Sequence, residues 1–595
     1  MFNEASRFSS TPVKFAVVAA LGVFAALAIA AFRLQVVEYS KYRNLARDNY
    51  VVQVEIKAPR GDILDCHEAL IAGSRQGFSV CAVPRSILKN AREVKILSRI
   101  LGTDETDIRS SLAPVARTYR PTAVARDVDF ATLSVIEEAF ADLPDVMVIA
   151  EPLRTYPLGP IFSHVIGYVG EATEQDILAE PQEYSTGDFV GRAGIEKQYE
   201  RHLKGHDGVR SVMFTPGGGT GPIEVDDPEP ISPRSGDKLV LYADVDLQRL
   251  AFELLDGRRG CIIAVDVKSG GIRAMVSSPA FDPELFTTGI SNEAWQAILE
   301  SPGKPLLNRA VQSAYPPGST FKVVTAGMAL EEGLVSARTR FEPCRGSYRF
   351  GNRTFRCWKA AGHGSLDLIG ALRVSCDVYF YQMGERLSAD VFGMYAQRWN
   401  LNAPTGIDLP GEVRGLVPNA AYYDAAYGKK GWTKGVMLNL AIGQGEVLLT
   451  PLEMLCFVCA VANRGTYYPP KCVDYAEVEG RVEEFRSPPV RLAISDATLE
   501  TLRAAMLEVV AGENGTGRNG QVPGLSVAGK TGTAQNPHGA DHASFVCFAP
   551  YEEPTVAIVV MIENAGHGST EAAPLARRLL AHIFEIPLGE EVAGR

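Results

Sequence analysis

Residues 15–32 form an unbroken run of eighteen apolar or small residues without a charge, the only run in the chain long enough to cross a bilayer as a helix. Ala28-Ile29-Ala30 resembles a signal-peptide cleavage site, but the run is long for the apolar region of a signal peptide, which favours an uncleaved anchor. Beyond it the periodicity changes. Alternating runs at 50–56 and 77–83 predict strands, and helical periodicity at 87–101 and 129–140 predicts helices. Gly194-Ile195-Glu196-Lys197-Gln198-Tyr199-Glu200 opens a polar helix. Gly217-Gly218-Gly219-Thr220-Gly221 and the proline-rich, acidic 222–233 read as a flexible excursion near a boundary. No constellation of reactive side chains stands out between 38 and 235, so this block reads as a mixed α/β pedestal.

From about Asp237 the pattern is that of an α+β domain. Strand-like runs at 261–267 and 272–277 join through Ser269-Gly270-Gly271 as a hairpin, and runs at 543–549 and 555–562 flank Tyr551-Glu552-Glu553-Pro554. With a strand entering Lys530-Thr531-Gly532 after Leu525-Ser526-Val527-Ala528-Gly529, they predict five antiparallel strands. Helices from about 245 and about 572 cover the sheet, and a helical insert between 319 and about 520 forms the opposite wall. Thr450-Pro451-Leu452-Glu453 fits a capping box with proline at the first helical position. Gly443-Gln444-Gly445 lacks the context of a nucleotide loop, and Cys456-Phe457-Val458-Cys459 sits in an apolar, helix-like setting that makes it core rather than a redox motif.

A chain of 595 residues, 46% hydrophobic, holds several domains with full cores, and a net charge of -11 argues against nucleic acid as partner. Charge does not orient the anchor. Arg7 and Lys14 precede it while Arg33, Lys41, Arg43 and Arg47 follow, a count that would favour a cytoplasmic C-terminal side, but the rule loses force ahead of a long translocated domain.

Three strings in order carry the chemistry: Ser319-Thr320-Phe321-Lys322, Ser375-Cys376-Asp377 and Lys530-Thr531-Gly532-Thr533. A serine hydroxyl needs a base to take its proton, and Lys322 stands one helical turn on. Lysine accepts a proton only when neutral, a state favoured by burial and by a second cation, which Lys530 supplies. Turn chemistry in Tyr315-Pro316-Pro317-Gly318 places Ser319 at a helix N-terminus, whose N–H groups suit an oxyanion. Gly532 leaves room for a substrate backbone at the strand edge. Ser86-Ile87-Leu88-Lys89 has the same serine-lysine spacing but lacks the downstream partners.

These motifs resemble the set Ser-x-x-Lys, Ser-x-Asn and Lys-Thr-Gly of the penicillin-binding proteins. Pro305-Leu306-Leu307-Asn308-Arg309-Ala310, Gly406-Ile407-Asp408-Leu409-Pro410-Gly411-Glu412, Gly443-Gln444-Gly445 ahead of Thr450-Pro451, and Pro59-Arg60-Gly61-Asp62-Ile63-Leu64-Asp65 all look like class B members. Asp377 replaces the usual asparagine, as in elongation-type members, and an ionised aspartate only accepts hydrogen bonds. The resemblance implies a cytoplasmic tail at 1–12, a single transmembrane anchor at 13–37, a pedestal or dimerisation domain at 38–235, a penicillin-binding transpeptidase domain at 236–585 and a C-terminal tail at 586–595. It further implies a cytoplasmic (inner) membrane protein with its catalytic domain outside, acting as a peptidoglycan D,D-transpeptidase in cell elongation, with residual carboxypeptidase activity and covalent inhibition by β-lactams.

By that resemblance Ser319 is the nucleophile, Lys322 its base, Ser375 a proton relay, and Lys530 the source of positive field. Thr531 binds the donor carboxylate and Gly532 belongs to the substrate-binding strand, while the N–H groups of Ser319 and Thr533 form the oxyanion hole. Partners implied are stem peptides, a membrane glycosyltransferase of the SEDS type and elongation-complex proteins; no organic cofactor is implied. A β-lactamase or β-lactam sensor, a division-type transpeptidase and a non-enzymatic scaffold activating a membrane polymerase are the competing readings.

Cys344, Cys357, His363 and Cys376 follow one another with twelve, five and twelve residues between them. Three sulfurs and one imidazole make a closed tetrahedral set, hence one structural zinc ion, and some elongation-type members have zinc at similar spacing. It would tie the second motif to the preceding loop. The rival is a Cys344–Cys357 disulfide, which leaves His363 a loop histidine and Cys376 a free thiol.

Overall fold

A computed structural model describes residues 10–42, 51–118, 120–213, 223–225, 229–536 and 539–588. Arg7, Arg43, Arg47, residues 217–221 and parts of the 222–233 excursion and of both expected tails lie outside them. The chain forms two compact units: Met1–Ala58 with Gln76–Glu151 and His206–Arg234, and Pro59–Arg75 with Pro152–Gly205 and Ser235–Arg595.

The first unit carries α1, Ser10–Phe32, which continues as a π-turn over Arg33–Val37. From Thr11 onward its side chains are exposed, and it is the one helix among the described residues long and apolar enough to span a membrane. It fits a single-pass anchor. The expected strands are present as Val51–Ile56, paired antiparallel with Gly208–Met213, and within Leu70–Ala82. The expected helix at 87–101 is broken. Asn90 caps Ala91–Leu101 by accepting from the N–H groups of Arg92 and Glu93, so a separate turn, Pro84–Ile87, precedes it. Val80, Ile87, Val94, Leu97, Ile108 and Ile136 close a small core there.

The second unit is built on a sheet of five strands, β1 (Gly260–Asp266), β2 (Ile272–Ser278), β3 (Ala528–Ala534), β4 (His542–Ala549) and β5 (Val556–Ile562). Their order is β2-β1-β5-β4-β3, all antiparallel as expected. Side chains alternate between two buried faces, which is why the strands read as continuous apolar runs. Ile262, Ala264, Val560 and Phe545 meet α2 (Val245–Leu255) and a C-terminal helix, Ala573–Ile583. Cys261, Ile263, Val559 and Val546 face the helical insert. In that insert lie α3 (Lys322–Glu331), α4 (Leu368–Arg373), α5 (Asp377–Gly384), α6 (Pro451–Ala462) and α7 (Asp496–Ala511).

The expected polar helix at 194 is present as Gly194–Gln198, with Lys197 and Gln198 exposed and Glu196 buried. Glu196, 0% exposed, pairs with Arg154 at 2.5 Å and Arg60 at 2.7 Å, and Arg60 reaches Glu200 at 2.7 Å. Burial alone would push the Glu196 carboxyl up, but the two guanidinium groups win and hold it below the usual range. Asp408, also buried, accepts from the Tyr199 hydroxyl and the N–H groups of Cys472 and Val473. Two segments singled out in the sequence, 59–65 and 406–412, are thereby fastened to the residues around 196–200.

Candidate active site

The turn before Ser319 is held from three sides. Tyr315 donates its N–H to Leu449 O and its hydroxyl to Glu563, which also binds Arg309 at 2.8 Å. Gly318, at φ +54°, donates to Gly443 O at 2.9 Å, and a Cβ on Gly443 would come within 2.1 Å of Gly318 O, so Gly443-Gln444-Gly445 forms a close-packed floor. Gly318–Phe321 is a 3-10 turn leading into α3, with Thr320 closing it onto Pro317 O at 2.7 Å. Ser319 is half-buried at its start, and Lys322 begins the helix.

All three donors of the Lys322 ammonium are engaged: Ser375 O at 2.9 Å, Ser375 Oγ at 3.2 Å and Asp377 Oδ1 at 2.7 Å. Ser375 Oγ also accepts from Lys530 Nζ at 3.0 Å, so one hydroxyl stands between the two lysines. Both ammonium-bearing residues are completely buried. Desolvation, then repulsion from Lys322, holds Lys530 well below the lysine range, against the opposing pull of Asp377. The sequence assigns the neutral state to Lys322 and the cation to Lys530. The geometry pairs Lys322 with the Asp377 carboxylate, and burial favours the neutral state of Lys530.

Ser375 has φ +52°, unusual for a residue with a side chain. It sits between α4 and α5, and its carbonyl accepts from Lys322 and from the indole Nε1 of Trp358 at 3.1 Å. The Trp358 backbone N–H donates to Asp377 Oδ2 at 3.0 Å. Asp377 therefore acts only as acceptor, on both oxygens. Sequence reasoning passed over Trp358; its position next to Cys357 was the available signal.

On β3, Lys530 Nζ also donates to Thr531 O, and the Thr531 hydroxyl bonds that of Thr516 at 2.9 Å. Thr516 is a second residue the sequence did not reveal. A Cβ on Gly532 would meet Thr320 Cγ2 at 2.9 Å and Ser544 Oγ at 2.1 Å, and one on Gly318 would meet Thr533 O at 2.7 Å. The serine turn thus lies directly against the Lys-Thr-Gly-Thr strand, and the structure brings all the residues of the three motifs to one place. Ser86, by contrast, lies in the first unit.

Cys344, Cys357, His363 and Cys376 form one Cys/His cluster with donor atoms all within 4.8 Å. His363 Nδ1 lies 3.7 Å from Cys344 Sγ and 3.5 Å from Cys357 Sγ, near the roughly 3.5–3.8 Å that tetrahedral zinc ligands keep from one another. All ten cysteines are unbonded thiols, Cys344 and Cys357 included. Within the cluster a hydrogen bond from Cys376 draws the Cys357 thiol down, while Cys376 is pushed up.

A serine one turn before a buried lysine, a second serine opposite and a Lys-Thr-Gly edge strand define the class of penicillin-recognising serine enzymes. The penicillin binding protein transpeptidase domain matches residues 260–581 and the penicillin-binding protein dimerisation domain residues 55–241, and the chain belongs to the class B penicillin-binding proteins. A peptidoglycan D,D-transpeptidase MrdA of Acinetobacter baumannii is 31% identical over 91% of this chain and 83% of its own length. A penicillin-binding protein (PBP2) of Helicobacter pylori, solved in complex with MreC, matches with a TM-score of 0.80 at 27% identity, covering 90% of this chain and 99% of that one. A chain from a structure on the coordination of polymerization and crosslinking by a peptidoglycan synthase complex matches with a TM-score of 0.72 at 29% identity over 98% and 100%.

Proposed function

We propose that the chain is the peptidoglycan D,D-transpeptidase of cell elongation, with Ser319 as nucleophile. The observation that carries this is the single hydroxyl of Ser375 set between Lys322 and Lys530, beside the Ser319 turn. Passing a proton from Lys322 through Ser375 Oγ to Lys530 frees a lone pair on Lys322 one helical turn from Ser319. Lys530, disposed by burial to be neutral, is the acceptor. Ser319 gives its hydroxyl proton to Lys322 as its Oγ attacks the penultimate D-alanine carbonyl, with the N–H groups of Ser319 and Thr533 holding the oxyanion. The C–N bond breaks, the proton passes to the leaving D-alanine amine through Ser375, and an ester to Ser319 remains. An amine of a neighbouring stem attacks that ester, its N–C bond replacing the C–O bond, and its proton returns to Ser319 Oγ. Thr531 and Gly532 seat the donor against β3, and Asp377 positions Lys322.

The Cys/His cluster fits zinc in donor set and spacing, and a closed site of this kind is structural. It would fix the loop that carries Ser375. The relatives and α1 support the expected domain divisions, a catalytic domain outside the cytoplasmic membrane, and partnership with MreC-like and membrane polymerase proteins.

Two measurements test this. Intact-mass spectrometry with benzylpenicillin is expected to give a single adduct mapped to Ser319 and none on Ser319→Ala; an adduct that persists on the variant overturns the assignment. Native mass spectrometry is expected to show one zinc, lost on Cys344→Ser; metal-free protein lighter by two hydrogens would establish the disulfide instead.

A further inference from the structure

The segment 59–65 runs on into Cys66 and His67, which the assigned roles leave unused. The fold sets both against Asp244. Ile63–Leu64 lies parallel to Lys238–Leu241, and past the strand ends Cys66 donates its N–H to Ala243 O at 2.9 Å. Asp65 is buried and locks this arrangement, accepting from the N–H groups of His67 at 2.8 Å, Ala69 at 2.7 Å and Val245 at 3.1 Å. Asp244 caps α2 through Oδ1, which accepts from the N–H groups of Asp246 and Leu247 at 2.9 and 3.1 Å. Its other oxygen, Oδ2, stands 3.8 Å from His67 Nε2 and 3.9 Å from Arg273 Nη2, both beyond hydrogen-bond distance. One donor atom each from Cys66, His67 and Asp244 lies within 4.8 Å of the other two. Alongside opens a cavity of about 780 Å³, lined by His67, Asp244, Asp246, Arg273, Arg578 and Glu585 among others.

We propose that Cys66, His67 and Asp244 bind a divalent metal ion of zinc's class at the rim of this cavity, separate from the Cys344 cluster and with a fourth position open to water. Thiolate, imidazole and carboxylate together select borderline first-row ions over magnesium and calcium, which take oxygen donors. The separation of His67 Nε2 from Asp244 Oδ2 already matches that between ligands of one tetrahedral ion. Cys66 and His67 are exposed, so their side chains are free to draw in around the ion. Binding forms a metal–sulfur bond and releases the Cys66 thiol proton to water. The ion then ties the turn at 65–69 to the first turn of α2 from outside, as Asp65 does from within. Three ligands, two of them exposed, hold an ion that exchanges with solvent, so protein purified without added zinc carries only the ion of the closed cluster. None of the three residues belongs to the acyl-transfer site, and the proposal stands apart from the proposed function.

Of the ten cysteines only Cys66 is exposed, so its alkylation reads this site directly. The full chain in detergent is treated with iodoacetamide with and without added zinc, and modification of Cys66 is followed by peptide mass spectrometry. Zinc is expected to slow it at least about tenfold, because the sulfur lone pair is held by the metal. His67→Ala and Asp244→Asn, the second keeping an oxygen to cap α2, are expected to remove most of that protection. Native mass spectrometry in added zinc is expected to count one ion more on the wild type than on either variant. Penicillin acylation at the wild-type rate checks that both variants are folded. Alkylation that zinc leaves unchanged, or protection and metal count that survive in both variants, overturns the proposal. Equal protection by magnesium overturns it too, since the site would then not select ions of zinc's class.

Discussion

At the residue scale, the geometry turns on how Ser375 is held. Its left-handed backbone and its hydroxyl between two lysines require a clamp, and Trp358 provides part of it through the indole N–H to Ser375 O. Trp358→Phe keeps the ring and loses that bond, a change of about 1 kcal/mol or roughly five- to tenfold in the rate of penicillin acylation. Acylation kinetics with a fluorescent penicillin check it, alongside thermal melting, which should scarcely move. An unaltered acylation rate would show that the clamp is dispensable. The motif residues themselves were legible in the sequence, because serine, lysine and glycine at fixed offsets answer chemical demands that spacing alone can state. The direction of charge between Lys322 and Lys530 was not. It depends on Asp377 reaching Lys322 and on the complete burial of Lys530, both products of packing between distant segments.

At the element scale, α6 shows a local signal that survived folding. Thr450 and Glu453 make the expected capping box with Pro451 at the first position, but Glu453 also accepts from Gly415 N at 2.6 Å and is 1% exposed. Burial pushes its carboxyl from 4.5 up to about 7, against the pull of the N–H groups of Thr450 and Gly415. A carboxyl whose folded pKa lies above its unfolded one contributes most below the unfolded value, and that contribution is lost as pH rises through the folded value. Wild-type stability measured against Glu453→Gln should therefore decline between about pH 5 and about pH 8 in denaturant titrations. A flat difference would mean that Glu453 titrates normally. The five strands were legible for a related reason: with both faces buried, their apolar runs carry few interruptions. The break at Asn90 was not, since a capping side chain inside a periodic run leaves the apolar pattern unaltered.

At the scale of the whole molecule, Pro59–Arg75 and Pro152–Gly205 cluster with the residues that follow Ser235. The ion cluster of Arg60, Arg154 and Glu196 lies among these segments, joining positions far apart in the chain, so no local pattern announces it. Glu196→Gln leaves two buried guanidinium groups short of a counter-charge and is expected to cost about 3–5 kcal/mol in denaturant unfolding. A loss below about 1 kcal/mol would assign the hold to the surrounding apolar packing. Finally, β3 ends the sheet, and among the described residues no further strand pairs with its outer side. Proteins usually guard such an edge, because a foreign chain can dock on it as an extra strand. Here the serine turn packs on a face of that strand at Gly532, with Thr320 and Pro317 where a side chain would stand. A visitor that completes the sheet must lie beside the nucleophile, so in this fold adhesion and reaction share one address. Extended peptides that never acylate should still compete for it.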